Sequence, residues 1–190
     1  DPALERLTAR MAAALEIPEI RVNVFDVEPV NGLAAPDGRI FLTAGFLKKY
    51  RQGLVTDEEM ASVIAHELGH VSMGHARRRM IDVTGQNAVF FLLAAFLARF
   101  VPIVGVGVAN AISTALMARL SRRDEFEADA YASALLIKSG IGTGPQNSLF
   151  RKLGALTQSR TEGIPAWLLS HPAAEERISA IEANEARWLG

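Results

Sequence analysis

The chain has 190 residues, 49% of them hydrophobic and 22% charged, enough for one domain with a substantial core. Its 20 Lys and Arg nearly balance 21 Asp and Glu for a net charge of −1, so nothing argues for a nucleic-acid partner. Cysteine is absent, which excludes disulfides and thiolate metal ligands.

Ala3 to about Glu16 carries apolar residues at helical spacing and predicts an amphipathic helix ended by Pro18. Val22–Val27 and Arg39–Thr43 predict strands, with Pro36-Asp37-Gly38 as a turn between Ala35 and Arg39. Ala44 to about Gln52 fits either a helix or an irregular approach. Thr56-Asp57-Glu58-Glu59 has the pattern of a capping box, Thr56 as N-cap and Glu59 three residues on. Met60, Val63, Ile64 and Val71 then recur at helical spacing, and Gly74 suits the residue just past the helix end.

Inside that helix lies His66-Glu67-Leu68-Gly69-His70. Histidines at i and i+4 stand one above the other on one face, so both imidazoles reach a single ion. Glu67 beside them can hold the water that such an ion activates. A third histidine at metzincin spacing would require Gly at 73 and His at 76, where this chain has Met73 and Ala76. His75 therefore reads as structural, capping or packing near the helix end. A catalytic zinc takes three protein ligands and leaves one position for water, so the third ligand should be a carboxylate further along. Ser121–Ala130 offers four acidic residues, of which only Glu125 and Asp129 stand at i and i+4. That pair suits one ligand and one carboxylate that orients a ligand histidine through its other ring nitrogen. Glu127 points roughly the opposite way. The apolar residues around them predict a largely buried helix to about Gly140, and buried carboxylates need partners.

Residues 88–118 are strongly apolar: Ala88–Ala98 has no polar residue, Arg99 interrupts, and Phe100–Ala118 carries no charge. A single membrane crossing would put Glu125 on the far side from the histidines. Two crossings need about 60 Å plus a turn, whereas 31 helical residues rise only about 46 Å. The expectation is a helical hairpin, bent near Pro102, Gly105 and Gly107, that packs on the domain or dips into a membrane surface. Arg77, Arg78 and Arg79 before it, and Arg119, Arg122 and Arg123 after it, either solvate helix ends or anchor the hairpin at anionic headgroups. Further on, Pro145 opens a helix to about Thr157, Thr157–Pro165 predicts a loop, and Ser170 caps a last helix from about Pro172 to Trp188. Arg177 either helps the site or, as the favoured expectation, pairs with Glu residues of its own helix.

HELGH followed by SRRDEFEADA resembles the zinc metallopeptidases that include HtpX-like heat-shock proteases, their periplasmic relatives and the CAAX prenyl endopeptidases. Asn31–Gly45, Arg78 with its neighbours, Ser170-His171-Pro172 and Glu176-Arg177 fit the same resemblance, which runs from about residue 4 to 183. One departure is Gly32, where the family usually has alanine. The resemblance implies a zincin-like, mainly helical α+β domain over residues 1–190, with one small sheet or hairpin ahead of the active-site helix and 88–118 as an insertion. It implies one Zn2+ held by His66, His70 and Glu125, with Glu67 as general base and Asp129 behind a ligand. His171, before Pro172 at a helix start, would donate to the oxyanion, fill the fourth zinc position or simply bond backbone at the helix N-terminus.

The expected activity is endoproteolysis of unfolded, misfolded or membrane-associated polypeptides. The strand around Asn31, Ala34 and Ala35 would hold extended substrate by β-augmentation. The alternative is a zinc-binding, non-catalytic chaperone-like or membrane-associated interaction domain, although a structural site has no need of Glu67. A bacterial-type location in the cytoplasm or on the cytoplasmic face of a membrane is expected, with the periplasm as alternative. The opening Asp1 leaves an upstream signal or anchor open, and the sequence sets no oligomeric state.

Overall fold

The computed structural model describes residues 2–35, 37–98, 121–158 and 175–190. The second half of the expected hairpin, the loop after residue 158 and the Ser170-His171-Pro172 segment lie outside the described residues. The fold is α+β and mainly helical. Helix α1 spans Pro2–Ala14 and buries Leu7, Met11 and Ala12. It stops two residues short of the expected end: Glu16 turns to φ 58° and the Ile17 amide folds back onto the Ala12 carbonyl at 3.1 Å.

Three strands follow, β1 (Val22–Phe25), β2 (Gly32–Ala34) and β3 (Ile40–Thr43), in the order β1-β3-β2. β1 runs parallel to β3, whereas β2 is antiparallel to it. The expected turn is present: the Ala35 amide donates to the Arg39 carbonyl at 2.8 Å and the Gly38 amide to the Ala35 carbonyl at 3.0 Å, with Gly38 at φ 89°. The expected first strand ends at Phe25 rather than Val27, because the Val27 carbonyl instead receives the Gly45 amide. β2 is three residues that sequence alternation did not resolve as a separate strand.

The stretch after β3 is a helix, α2 (Ala44–Arg51), capped by the Thr43 side chain. Helix α3 (Asp57–Ser72) has the full capping box, with Thr56 Oγ1 and the Glu59 carboxylate each receiving the other's backbone N–H. Every residue from Glu59 to His70 is buried, which makes α3 the central strut on which α1, β2, α6 and α4 pack. Gly74, at φ 66°, ends it, and α4 (His75–Ala98) starts at once. Residues 121–138 form α5, followed by α6 (Gly144–Gln158) and α7 (Glu175–Leu189). Among the described residues no helix is long and apolar enough to cross a membrane.

Glu59 links the α3 cap to α6. Its carboxylate accepts from Lys152 Nζ at 2.8 Å and Ser148 Oγ at 2.6 Å as well as from the Thr56 amide. Burial alone would raise the Glu59 carboxyl, but these donors outweigh it and hold its pKa below the usual carboxylate value. A depressed folded pKa adds stability that is present above the unfolded value, about 4.3, and is lost as pH falls through the folded one. Glu59→Gln should therefore cost about 1–3 kcal/mol at neutral pH and flatten the acid limb of a thermal-midpoint-against-pH curve. An acid limb identical to wild type would show that this carboxylate is not what protons attack.

Candidate metal centre

Helical geometry brings the first two residues together. One turn apart on α3, the His66 and His70 rings meet edge to face with centroids 4.7 Å apart and their Nε2 atoms 3.1 Å apart. α5 crosses this face and inserts Glu125, whose Oε2 lies 3.4 Å from His66 Nε2 and whose Oε1 lies 3.5 Å from His70 Nε2. One turn on, Asp129 Oδ1 stands 2.9 Å from His66 Nδ1. Both carboxylates are buried.

The close approach of α5 depends on Gly69, the small residue of the HELGH run. A Cβ at position 69 would sit 2.8 Å from the Ala128 carbonyl oxygen and 2.9 Å from its Cα, and neither is a side chain able to swing aside. Gly69→Ala should push α5 off α3, costing about 1–3 kcal/mol and separating Glu125 from the histidines. Thermal midpoint and zinc affinity should fall together; a variant that binds zinc as wild type does would show that the helices absorb the methyl without moving the ligands.

The two imidazole nitrogens and the Glu125 carboxylate, whose Oε2 faces His66 and Oε1 faces His70, could hold a metal ion. Tetrahedral zinc with bonds of about 2.0–2.1 Å has ligand–ligand edges of about 3.3–3.4 Å, and the observed separations run from 3.1 to 3.5 Å. Asp129 is a carboxylate acceptor, so the proton between it and His66 sits on His66 Nδ1 and leaves the Nε2 lone pair toward the cluster. Electrostatics agree. Burial would lower the His66 pKa, but Asp129 and Glu125 outweigh it and carry it to about 9, the mark of a pocket arranged around positive charge. Burial would likewise raise Asp129, yet Arg177 and His66 hold it below the usual range.

Arg177 corrects the sequence expectation. It does not pair along its own helix: it reaches from α7 into the interior, donating from Nε at 2.6 Å and Nη2 at 2.8 Å to Asp129. Its Nη1 lies 3.3 Å from Glu125 Oε2, and its guanidinium stacks 4.5 Å from the centroid of the Phe150 ring. The arginines at the start of α4 are also reassigned. Arg78 Nη1 bonds Glu127 Oε2 at 2.7 Å and Asp124 Oδ1 at 3.2 Å, and Arg79 Nε bonds Asp124 Oδ2 at 3.1 Å. They tie α4 to α5. Arg123 bonds Glu127 one turn along α5. His75 is buried with Nδ1 2.7 Å from His70 Nδ1, so its structural role is exercised on a residue of the cluster itself.

Glu67 is buried next to β2: a Cβ at Gly32 would stand 3.2 Å from Glu67 Oε1 and 3.1 Å from Val63 Cγ1. The absence of a side chain at Gly32 lets the strand backbone lie against the active-site helix. Asn31 and Ala35 turn their backbone inward: the Asn31 amide donates to Thr43 Oγ1 and its carbonyl accepts from the Thr43 amide, and the Ala35 amide donates to the Arg39 carbonyl. By strand alternation, Gly32 and Ala34 turn theirs toward the open edge.

Residues 1–185 match peptidase family M48. The chain belongs to that family. Over 171 residues it is 30% identical to metalloprotease LoiP of Escherichia coli, covering 85% of this chain and 61% of LoiP. It is 31% identical over 158 residues to the mitochondrial metalloendopeptidase OMA1 of Arabidopsis thaliana, covering 82% of this chain and 30% of OMA1. With protease HtpX of Hahella chejuensis the identity is 25% over 214 residues, 90% of this chain and 68% of that protein. The chain thus spans about three fifths of the length of LoiP.

In this M48 domain the sequence expectations for His66, His70, Glu125 and Asp129 fall on side chains that meet, and Glu67 lies on the same helix between the histidines and β2. His171 lies outside the described residues. Sequence reasoning held a site role for Arg177 only as the second choice, and missed Asp124 and the reach of His75 to His70. The one available signal was the position of His75 directly after a glycine that ends the helix, where the chain turns back on itself.

Proposed function

We propose that this M48 domain is a zinc-dependent endopeptidase in which His66, His70 and Glu125 hold the metal and Glu67 is the general base. The observation that carries the reading is the meeting of two imidazole nitrogens and one carboxylate at tetrahedral-edge distances, with a buried glutamate on the same helix. Zinc, when bound there, would acidify water and polarise the scissile carbonyl. The chain's own residues do the rest. Glu67 takes the proton of the attacking water and returns it to the leaving amine. Asp129 fixes the tautomer and orientation of His66, and Arg177 keeps Asp129 ionised. The outward backbone groups of Gly32 and Ala34 pair with an extended peptide beside Glu67, which selects main chain over particular side chains and so favours unfolded segments.

Membrane-associated substrates are part of the proposal because α4 carries exposed apolar residues toward the uncharged 100–118 run: Phe91 is 69% and Leu92 73% exposed. No described side chain of α4 beyond residue 80 is buried.

Reduced casein tests the activity. The zinc-loaded chain should cleave it, stop when 1,10-phenanthroline strips the metal and resume when zinc is restored. One zinc bound per chain with no cleavage would replace this reading by the non-catalytic zinc-binding one.

A further inference from the structure

The cluster formed by His75, Asp124 and Glu127 lies outside the trio proposed to hold zinc. It is not a second cation site, since Arg78 Nη1 already stands 3.2 Å from Asp124 Oδ1 and 2.7 Å from Glu127 Oε2. What it contacts is His70.

We propose that His75 is a positioning residue that sets the tautomer of His70, through a relay from the Glu127 carboxylate to His75 to His70. The direction follows from one end alone. An ionised carboxylate only accepts, and Glu127 is held ionised by Arg78 and Arg123, each at 2.7 Å. Its Oε2 lies 3.3 Å from His75 Nε2, so that nitrogen carries the proton. With His75 a neutral imidazole, its Nδ1 atom then has a lone pair and accepts from His70 Nδ1 across 2.7 Å. His70 therefore bears its proton on Nδ1 and turns a lone pair on Nε2 toward Glu125 and His66. Both histidines of HELGH thus have the same tautomer imposed by a carboxylate of α5. Asp129 acts on His66 directly, whereas Glu127 acts on His70 through a second imidazole. Gly74, at φ 66°, ends α3 immediately before His75 opens α4.

The inference rests on the proposed metal trio, and the test separates the two. Long-range 1H–15N spectra of the zinc-loaded protein should show the Nδ1–H tautomer for His66 and His70 and the Nε2–H tautomer for His75. Zinc affinity by chelator competition should fall about 10- to 100-fold in His75→Leu. His75→Asn, whose amide oxygen takes the place of the accepting Nδ1, should recover most of that loss. A His75 proton on Nδ1, or equal losses in the leucine and asparagine variants, would overturn the relay while leaving the trio standing. Failure of the wild type to bind zinc would overturn both. The tautomer measurement needs no variant, so misfolding of His75→Leu leaves the test intact.

Discussion

Glu67→Gln should leave zinc bound and lower kcat on an unfolded substrate by about 10²- to 10⁴-fold, the range contributed by a positioned general base. Glutamine preserves the volume of a side chain that is buried on α3 and packed near the Gly32 backbone. It removes only the capacity to accept a proton. Because that capacity is used in the transition state and not in holding the peptide, KM should change little while kcat and kcat/KM fall together. Zinc content and thermal midpoint, measured on the same samples, should match wild type. Undiminished kcat would take the base role away from Glu67 and leave His66, His70 and Glu125 as a metal site with another proton acceptor.

Arg177→Leu should cost about 3–5 kcal/mol in the metal-free protein, since removing one member of a buried ion pair leaves the other uncompensated. Here two carboxylates lose their buried guanidinium: Asp129, which accepts both arginine bonds, and Glu125, 3.3 Å from Nη1. For a chain of this size that loss corresponds to a thermal midpoint about 10 °C lower. Zinc should offset part of it by supplying positive charge beside Glu125, so the midpoint gap to wild type should narrow on loading. Arg177→Lys should recover less than half, because an ammonium cannot present two parallel donors to Asp129 while stacking on Phe150. A metal-free Arg177→Leu protein within about 1 kcal/mol of wild type would be inconsistent with the uncompensated-charge cost and would show that α7 is not the counter-charge of the centre.

The difference between the two sites of prediction is also the difference between what could and could not be seen in the chain. The capping box at Thr56, the shared face of His66 and His70, the shared face of Glu125 and Asp129, the stop at Gly74 and the turn at Asp37-Gly38 all depend on spacings of two to four residues. Such spacings translate into geometry through the helical period or through a turn, whatever lies elsewhere in the fold. The sequence by itself therefore determined most of the elements, though not β2 or α2, together with the mainly helical class and the two halves of the candidate centre.

Tertiary structure decided how the halves meet and what surrounds them. Arg177 lies 48 residues from Asp129 in the chain, and its local spacing offered glutamates of its own helix as equally good partners. Only the docking of α7 against α5 and α6 selects the buried pair. Arg78 and Arg79 were ambiguous for the same reason, as was the parallel pairing of β1 with β3, which links strands that are not sequential. Gly69 carries no signal of its need until the Ala128 backbone is seen against it. A charge or a small side chain takes its role from whichever surface packs opposite, and that surface is chosen by the burial of apolar faces over the whole molecule, a property no short window of sequence contains.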